Sequence, residues 1–283
     1  MTVSLAYRGL LVSNPAASAH FYAGLGFHAV PDVGALRSDS PDSILMRNGH
    51  RVMLRLSRDP EPDNRNLRQR RPMTALGLTH LNFYVRDFDA TLDRVCDRGG
   101  AVARETLIAN SSAGRDMAMI YCTDPDGIRV EIWSTVPYGT DGFSSGIPGI
   151  DHKFSHSGIC VRDLEESISF YEALGFRRAE IFDYRDPPGQ LDRMFEEVDS
   201  SAIAQMMRNG DDVVELLSFL HPKPRQDPAW DGSASGGFNL LAFRVDSLEE
   251  AAGAEFGPRR RGYVEGFDPN GVRLNYFLPD PTA

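Results

Sequence analysis

Leu78-Thr79-His80-Leu81-Asn82-Phe83-Tyr84-Val85 alternates as a strand does, and Asp87 to Cys96 then reads as a short helix. Two more strand-like runs follow, and Asp124-Pro125-Asp126-Gly127 turns the chain into Ile128–Trp133. Side chains of a strand point alternately to its two faces. His80 therefore shares a face with Asn82 and Tyr84, and Glu131 shares one with Arg129 and Trp133. The same order of elements, again opening on a His and closing on a Glu, returns between His156 and Glu215.

Working outward, the chain reads as copies of one unit, and such repeats decide a fold before local detail does. Phe21-Tyr22-Ala23-Gly24-Leu25-Gly26-Phe27 is matched by Phe170-Tyr171-Glu172-Ala173-Leu174-Gly175-Phe176. Gly26 and Gly175 fall where a helix ends and a left-handed residue is favoured. Val85-Arg86-Asp87 is matched by Val161-Arg162-Asp163, and Asp268-Pro269-Asn270-Gly271 mirrors the turn at 124–127. The units span about 3–57, 76–135, 153–219 and 237–279, each a strand, a helix and three strands. The fourth is short, with a poorly defined second strand. They group into an N-terminal domain, 1–136, and a C-terminal domain, 150–283.

The joins are polar and turn-rich. Ser57–Arg71 carries Arg58, Arg65, Arg68, Arg70 and Arg71, and reads as a solvated linker face. Pro137–Gly149 reads as the hinge between halves, and Asp183–Asp192, with Pro187-Pro188-Gly189, as a lid.

With 283 residues, 41% of them hydrophobic and 25% charged, the chain has the material for a large core. A net charge of −10 argues against nucleic acid and against anionic membrane surfaces. No apolar run spans a bilayer, and Met1 to Tyr7 lacks the pattern of a secretory signal. The three cysteines, Cys96, Cys122 and Cys160, have no metal-finger spacing and read as buried thiols in a reducing cytoplasm. The expected partner is a small-molecule substrate, with the chain acting as monomer or homodimer.

The His-then-Val-x-Asp openings, the FY…LGF helix ends and the DPDG…E closing strand resemble the vicinal oxygen chelate superfamily. That group holds glyoxalase I, methylmalonyl-CoA epimerase, extradiol dioxygenases and bleomycin-resistance proteins. The resemblance implies an α+β fold: four βαβββ modules forming two curved mixed sheets. It also implies a metal held at two places in each unit, the start of the first strand and the middle of the last. Here those places are Tyr7, His80, His156 and Leu240, and Leu54, Glu131, Glu215 and Asn275. Units two and three keep both ligand types, and units one and four have lost both. Crosswise pairing, two with three and one with four, would then give one intact site (His80, Glu131, His156, Glu215) and one dead site.

Two neutral imidazoles and two carboxylates balance one divalent cation, and mixed N and O donors suit Zn, Ni, Co, Mn or Fe(II). The first reading is a glyoxalase-like lyase, isomerase or epimerase. Adjacent substrate oxygens chelate the metal, an enediolate is stabilised, and Glu131 or Glu215 moves the proton. The second is an Fe(II)-dependent extradiol-type ring-cleaving dioxygenase, which needs one Glu off the metal. The third is a drug- or metabolite-binding resistance protein without turnover, which the intact ligand pairs oppose. Asn82, Tyr84, Met119, Tyr121, Arg129, Trp133, Gln205 and Met207 are expected to line the substrate pocket. Asp87 and Asp163 read as helix caps, and His20, His28, His50 and His221 as surface residues.

Overall fold

Residues 3–31, 42–49, 52–59, 70–112, 115–134, 152–226, 237–248 and 263–278 are described by the structure, a computed structural model. The hinge Pro137–Gly149, His50, Arg65, Arg68 and the fourth unit between Leu248 and Tyr263 lie outside the described residues.

The first unit runs β1 (Val3–Val12), α1 (Pro15–Ala23), β2 (Phe27–Val30), β3 (Ile44–Asn48) and β4 (Met53–Arg58). The second runs β5 (Gly77–Val85), α2 (Phe88–Asp97), β6 (Ala101–Val102), β7 (Ile108–Ser112), β8 (Arg115–Thr123) and β9 (Arg129–Ser134). Its β7 is an additional strand, hairpin-paired to β8. The third comprises β10 (His152–Cys160), α3 (Leu164–Ala173), β11 (Arg177–Asp183), α4 (Asp192–Phe195), β12 (Ser201–Asn209) and β13 (Asp212–His221). The fourth contributes β14 (Gly237–Val245), β15 (Tyr263–Phe267) and β16 (Arg273–Phe277).

The units pair crosswise. One seven-stranded sheet, in the order β15-β16-β14-β1-β4-β3-β2, joins units four and one. The other, nine-stranded, runs β11-β12-β13-β10-β5-β9-β8-β6 with β7 on β8, and joins units three and two. Both are mixed: β1 lies antiparallel to β14 and parallel to β4, and β10 antiparallel to β5 and parallel to β13.

The helices begin where their caps allow. Asn14 accepts from the Ala16 and Ala17 N–H groups with Pro15 at the first helical position. Asp87 and Asp163 cap α2 and α3 through Ala90 N–H and Glu166 N–H. Gly26 and Gly175 end the helical regions at φ 87° and 84°, a conformation that strains a residue bearing a Cβ.

The two repeated motifs turn out to be two halves of one contact. The buried Tyr22 hydroxyl donates to Asp124 Oδ2 at 3.1 Å, and Tyr171 donates to Asp268 Oδ2 at 3.2 Å. Each helix-end Tyr thus reaches the last turn of the following unit. Beside each pair a second turn residue adds to the lock. Asp126 accepts from Ser13 N–H and the Ser18 hydroxyl, while Asn270 accepts from Arg162 N–H and donates to Ser167 Oγ. The Phe closing each motif packs edge-on against the next unit's first strand, Phe27 on Phe83 and Phe176 on Phe243. Between the sheets, Arg8 of β1 is buried. Its guanidinium donates to Ser157 Oγ at 3.1 Å, pairs with Asp212 at 3.3 Å and lies over Phe154.

Cys122 and Cys160 are buried, whereas Cys96, in the last turn of α2 beyond the buried Thr91, Leu92 and Val95, is exposed. His20, His28 and His221 are exposed.

Burial raises the Asp124 carboxyl from 3.8 to about 7 and the Asp268 carboxyl to about 6, against the backbone hydrogen bonds each accepts. The folded chain therefore holds two protons that the unfolded chain releases near pH 4. Their contribution to stability is complete at acid pH and is lost as pH rises from 3.8 through about 6 and about 7. We expect urea midpoints to fall between pH 5 and pH 8, and the fall to shrink in Asp124→Asn/Asp268→Asn. An unchanged slope in that variant would contradict this account. Tyr22→Phe should cost about 1–3 kcal/mol, because it removes a donor from a buried acceptor.

Candidate metal centre

The four His and Glu side chains meet at the seam of the larger sheet. In the antiparallel β5–β10 ladder Gly158 stands opposite His80. Parallel β9 sets Glu131 beside Asn82, and parallel β13 sets Glu215 beside Gly158. The period-2 alternation of strands then aims all four side chains to one face. His80 Nε2 lies 3.2 Å from His156 Nε2, 3.2 Å from Glu131 Oε2 and 3.5 Å from Glu215 Oε2. His156 Nε2 lies 3.6 Å from Glu215 Oε2 and 3.8 Å from Glu131 Oε2. Both imidazoles are buried, and the carboxylates are nearly so.

The outward nitrogens are held as well. His80 Nδ1 is 2.9 Å from the Thr79 hydroxyl, and His156 Nδ1 is 3.1 Å from the Ser155 hydroxyl. With each Nδ1–H donated to its hydroxyl, both Nε2 lone pairs face the common centre, as ligation requires. Asn82 donates its Nδ2–H to Glu131 Oε2 at 2.7 Å. Burial works to raise the Glu131 carboxyl, but the hydrogen bond and charge of His80, with His156 and Asn82, hold it below its ordinary value. Burial works to lower His156, and the charge and hydrogen bond of Glu215, then Glu131, raise it instead. The cluster is electrostatically poised for positive charge at its centre.

The donor set fits a divalent cation. Ligand bonds of about 2.0–2.2 Å in a tetrahedral arrangement put donors about 3.4 Å apart. His80, His156 and Glu215 bring one donor each to mutual separations of 3.2, 3.5 and 3.6 Å. These three residues could hold a metal ion. Glu131 approaches both imidazoles and is at the same time engaged by Asn82, so it is the donor most readily released.

Two features of the seam were not visible in the sequence. The first is Gly158: a Cβ built there would lie 2.2 Å from His80 Cε1 and 2.4 Å from Nδ1. The His80 ring occupies the space that a side chain would need. A glycine in mid-strand is the available signal, since it marks close approach of another group. The second is a correction. In the outer sheet Gly9 pairs with Arg55, as Gly158 pairs with Glu215, so the counterpart of the closing Glu is Arg55 and not Leu54. The outer seam therefore carries Tyr7, Arg55, Leu240 and Asn275, with the buried Arg55 guanidinium over the Tyr7 ring at 5.0 Å.

A cavity of about 840 Å³ opens onto Glu131, His156 and Glu215. Tyr84, Met119, Tyr121 and Trp133 line it. Burial and then the charge of Glu131 push the Tyr84 hydroxyl up to about 12, so it stays protonated. Four expected lining residues are placed elsewhere. Asn82 is fully buried behind Glu131. Arg129 pairs with Glu196 at 2.6 Å and donates to the Arg71 carbonyl. Gln205 donates to backbone carbonyls of Ala179, Glu180 and Met206, and Met207 lies in the main core. On β12 it is Met206 and Arg208 that line the cavity. The assigned face is wrong by one residue, which on a strand exchanges the two faces entirely.

The segment between β11 and β12, expected to be a lid, covers part of the cavity with Tyr184, Leu191, Met194 and Phe195. It is tied down at its base. Asp192 accepts from Asp199 N–H, Ser200 N–H and the Ser200 hydroxyl, and Glu196 pairs with Arg70 and Arg129.

Gly158→Ala should displace the His80 ring and lower zinc affinity at least tenfold while circular dichroism stays native. Unchanged affinity, measured by competition with a chromogenic chelator, would show that the ring has other room.

The comparisons agree with this architecture. The family model for the Glyoxalase/Bleomycin resistance protein/Dioxygenase superfamily matches residues 4–132 and 153–254. Glyoxalase I from Zea mays superposes with a TM-score of 0.66 at 15% identity, over 98% of this chain and 92% of that one. A 3-methylcatechol 2,3-dioxygenase from Pseudomonas putida is 34% identical over a segment covering 24% of this chain. That segment spans only 26% of the dioxygenase. No described helix is long and apolar enough to cross a membrane. The chain belongs to the Glyoxalase/Bleomycin resistance protein/Dioxygenase superfamily.

Proposed function

We propose that the chain is a divalent-metal-dependent enzyme acting by proton transfer on a small molecule that presents two adjacent oxygens, a lyase, isomerase or epimerase of the glyoxalase type. The convergence of two imidazole nitrogens and two carboxylates at separations of 3.2–3.8 Å carries the reading. A cation bound there, one of Zn, Ni, Co, Mn or Fe(II), would act as a Lewis acid on the substrate oxygens and acidify the adjoining C–H. His80, His156 and Glu215 would hold it. Glu131 is the base, with Asn82 steadying one of its oxygens. Tyr121 and Met119 stand beside Glu131 in the cavity wall.

A second reading is favoured by one observation. His80, His156 and Glu215 alone make a group of two His and one carboxylate. That is the donor pattern of non-haem Fe(II) oxygenases. With Glu131 held by Asn82, ring-cleaving dioxygenase chemistry is the alternative.

His80→Ala and His156→Ala should each lose stoichiometric metal by elemental analysis, whereas Tyr7→Phe keeps it. Full metal in either His variant would refute the centre. Glu131→Gln should retain metal but slow solvent-deuterium exchange into 2-hydroxyacetophenone, an aromatic α-hydroxyketone, by about 10²-fold or more. Oxygen uptake by the Fe(II)-loaded protein with catechol, and no such exchange, would decide for the second reading.

A further inference from the structure

The cavity above the metal centre is built for something larger than its chelating corner needs. Its volume of about 840 Å³ lies toward the top of the ~300–1,000 Å³ range that encloses drug-sized ligands. A single ring or a three-carbon oxoaldehyde would leave most of that space to water.

Its walls are selective. Tyr84 and Trp133 face the cavity as a pair with centroids 5.0 Å apart and planes 37° apart. Phe182 and Tyr184 face it as a second pair, 6.3 Å apart and tilted by only 5°. The first pair belongs to the strands that carry His80 and Glu131, and the second to the end of β11 and the start of the covering segment. Three buried methionines, Met119, Met194 and Met206, line it as well. Thioether side chains adapt to flat aromatic surfaces and make favourable contacts with them. Apart from Glu131 and Glu215 at the metal centre, the charged lining residues stand on the outside: Lys153, Glu180, Arg208 and Asp211 are all exposed. The cavity therefore has the His156, Glu131 and Glu215 cluster at its base, aromatic walls beside it and the remaining charged side chains at its mouth.

We infer that the substrate is a flat, multi-ring aromatic molecule bearing two adjacent oxygens on one edge, received against the ring pairs Tyr84–Trp133 and Phe182–Tyr184. This rests on the metal centre proposed above and specifies what is brought to it. Aromatic rings prefer offset or tilted stacking at centroid separations of about 4.5–7 Å, so a polycyclic skeleton gains contacts on these walls that one ring cannot. The segment between β11 and β12 adds Tyr184 and Phe195 to the enclosure.

The test compares 1,2-dihydroxyanthraquinone with catechol, which carries the same pair of adjacent oxygens on one ring. Titration calorimetry is run on the zinc-loaded and the metal-free full chain. The zinc form should bind the anthraquinone at least 100-fold more tightly than catechol. Phe182→Leu and Trp133→Leu, which remove a ring and keep apolar bulk, should each weaken the anthraquinone at least tenfold and leave catechol within threefold. Affinities of the two probes within threefold of one another, or anthraquinone binding unchanged in both variants, would overturn the inference. The metal-free protein separates the two claims. Loss of most of the affinity for both probes there supports chelation at the centre. Equal affinity with and without zinc, with the preference for the larger probe intact, sinks the metal reading and leaves the aromatic slot standing.

Discussion

The register between β5 and β10 is the constraint on which the site depends. With Gly158 opposite His80, the ring occupies the space a side chain there would need, and its Nε2 comes within 3.2 Å of that of His156. A slip of one residue would place Ser157 or Ile159 under the ring and turn His156 to the other face of the sheet. The irregularities in this ladder, between Phe154 and Ser157 and between Gly158 and Ile159, flank the site and fix where the register can lie. The two carboxylates follow without further specification, because β9 and β13 each run parallel to a strand already placed.

Two kinds of contact hold the frame around that seam. Consecutive units are joined by the helix-end Tyr, the turn Asp of the next unit and the closing Phe, a contact made once in each half. Units from different halves are joined by sheet hydrogen bonds, β5 to β10 and β1 to β14. Arg8 crosses between the sheets, and its desolvation is offset by Asp212, Ser157 and the Phe154 ring. Sequence neighbours thus meet through side chains and sequence strangers through backbone. This division explains why the motifs are so recognisable in the chain: each is half of a buried polar contact that tolerates little change.

Much of this was legible in the sequence, because the signals were periodic or chemically explicit. The repeat of FY…LGF, the caps Asp87 and Asp163, and the His and Glu at matching ends of two units each announce one arrangement. The unread parts lack such signals. From Ala204 to Met207 both faces of β12 are buried, so hydrophobicity does not tell the core face of Met207 from the cavity face of Met206. Arg129 resembles a pocket residue in phase, yet Glu196 captures it from a segment more than sixty residues away. The partnership of Tyr22 with Asp124 joins two motifs that each make sense alone as a helix end and a turn. Leu54 and Arg55 are neighbours on β4, and hairpins of unequal length shift the position of the closing-strand ligand by one residue between units.

That last residue has a further consequence. The outer seam has not simply lost an acid; it has a buried guanidinium where the inner seam has a carboxylate, beside a Tyr and an Asn in place of imidazole or acid. The two seams are thus opposite in polarity although the backbone beneath them is the same. A guanidinium opposes a cation at the outer position, so under the proposed function the inner seam is the one that would hold the metal. The asymmetry of this doubled fold is written in electrostatics and not in topology.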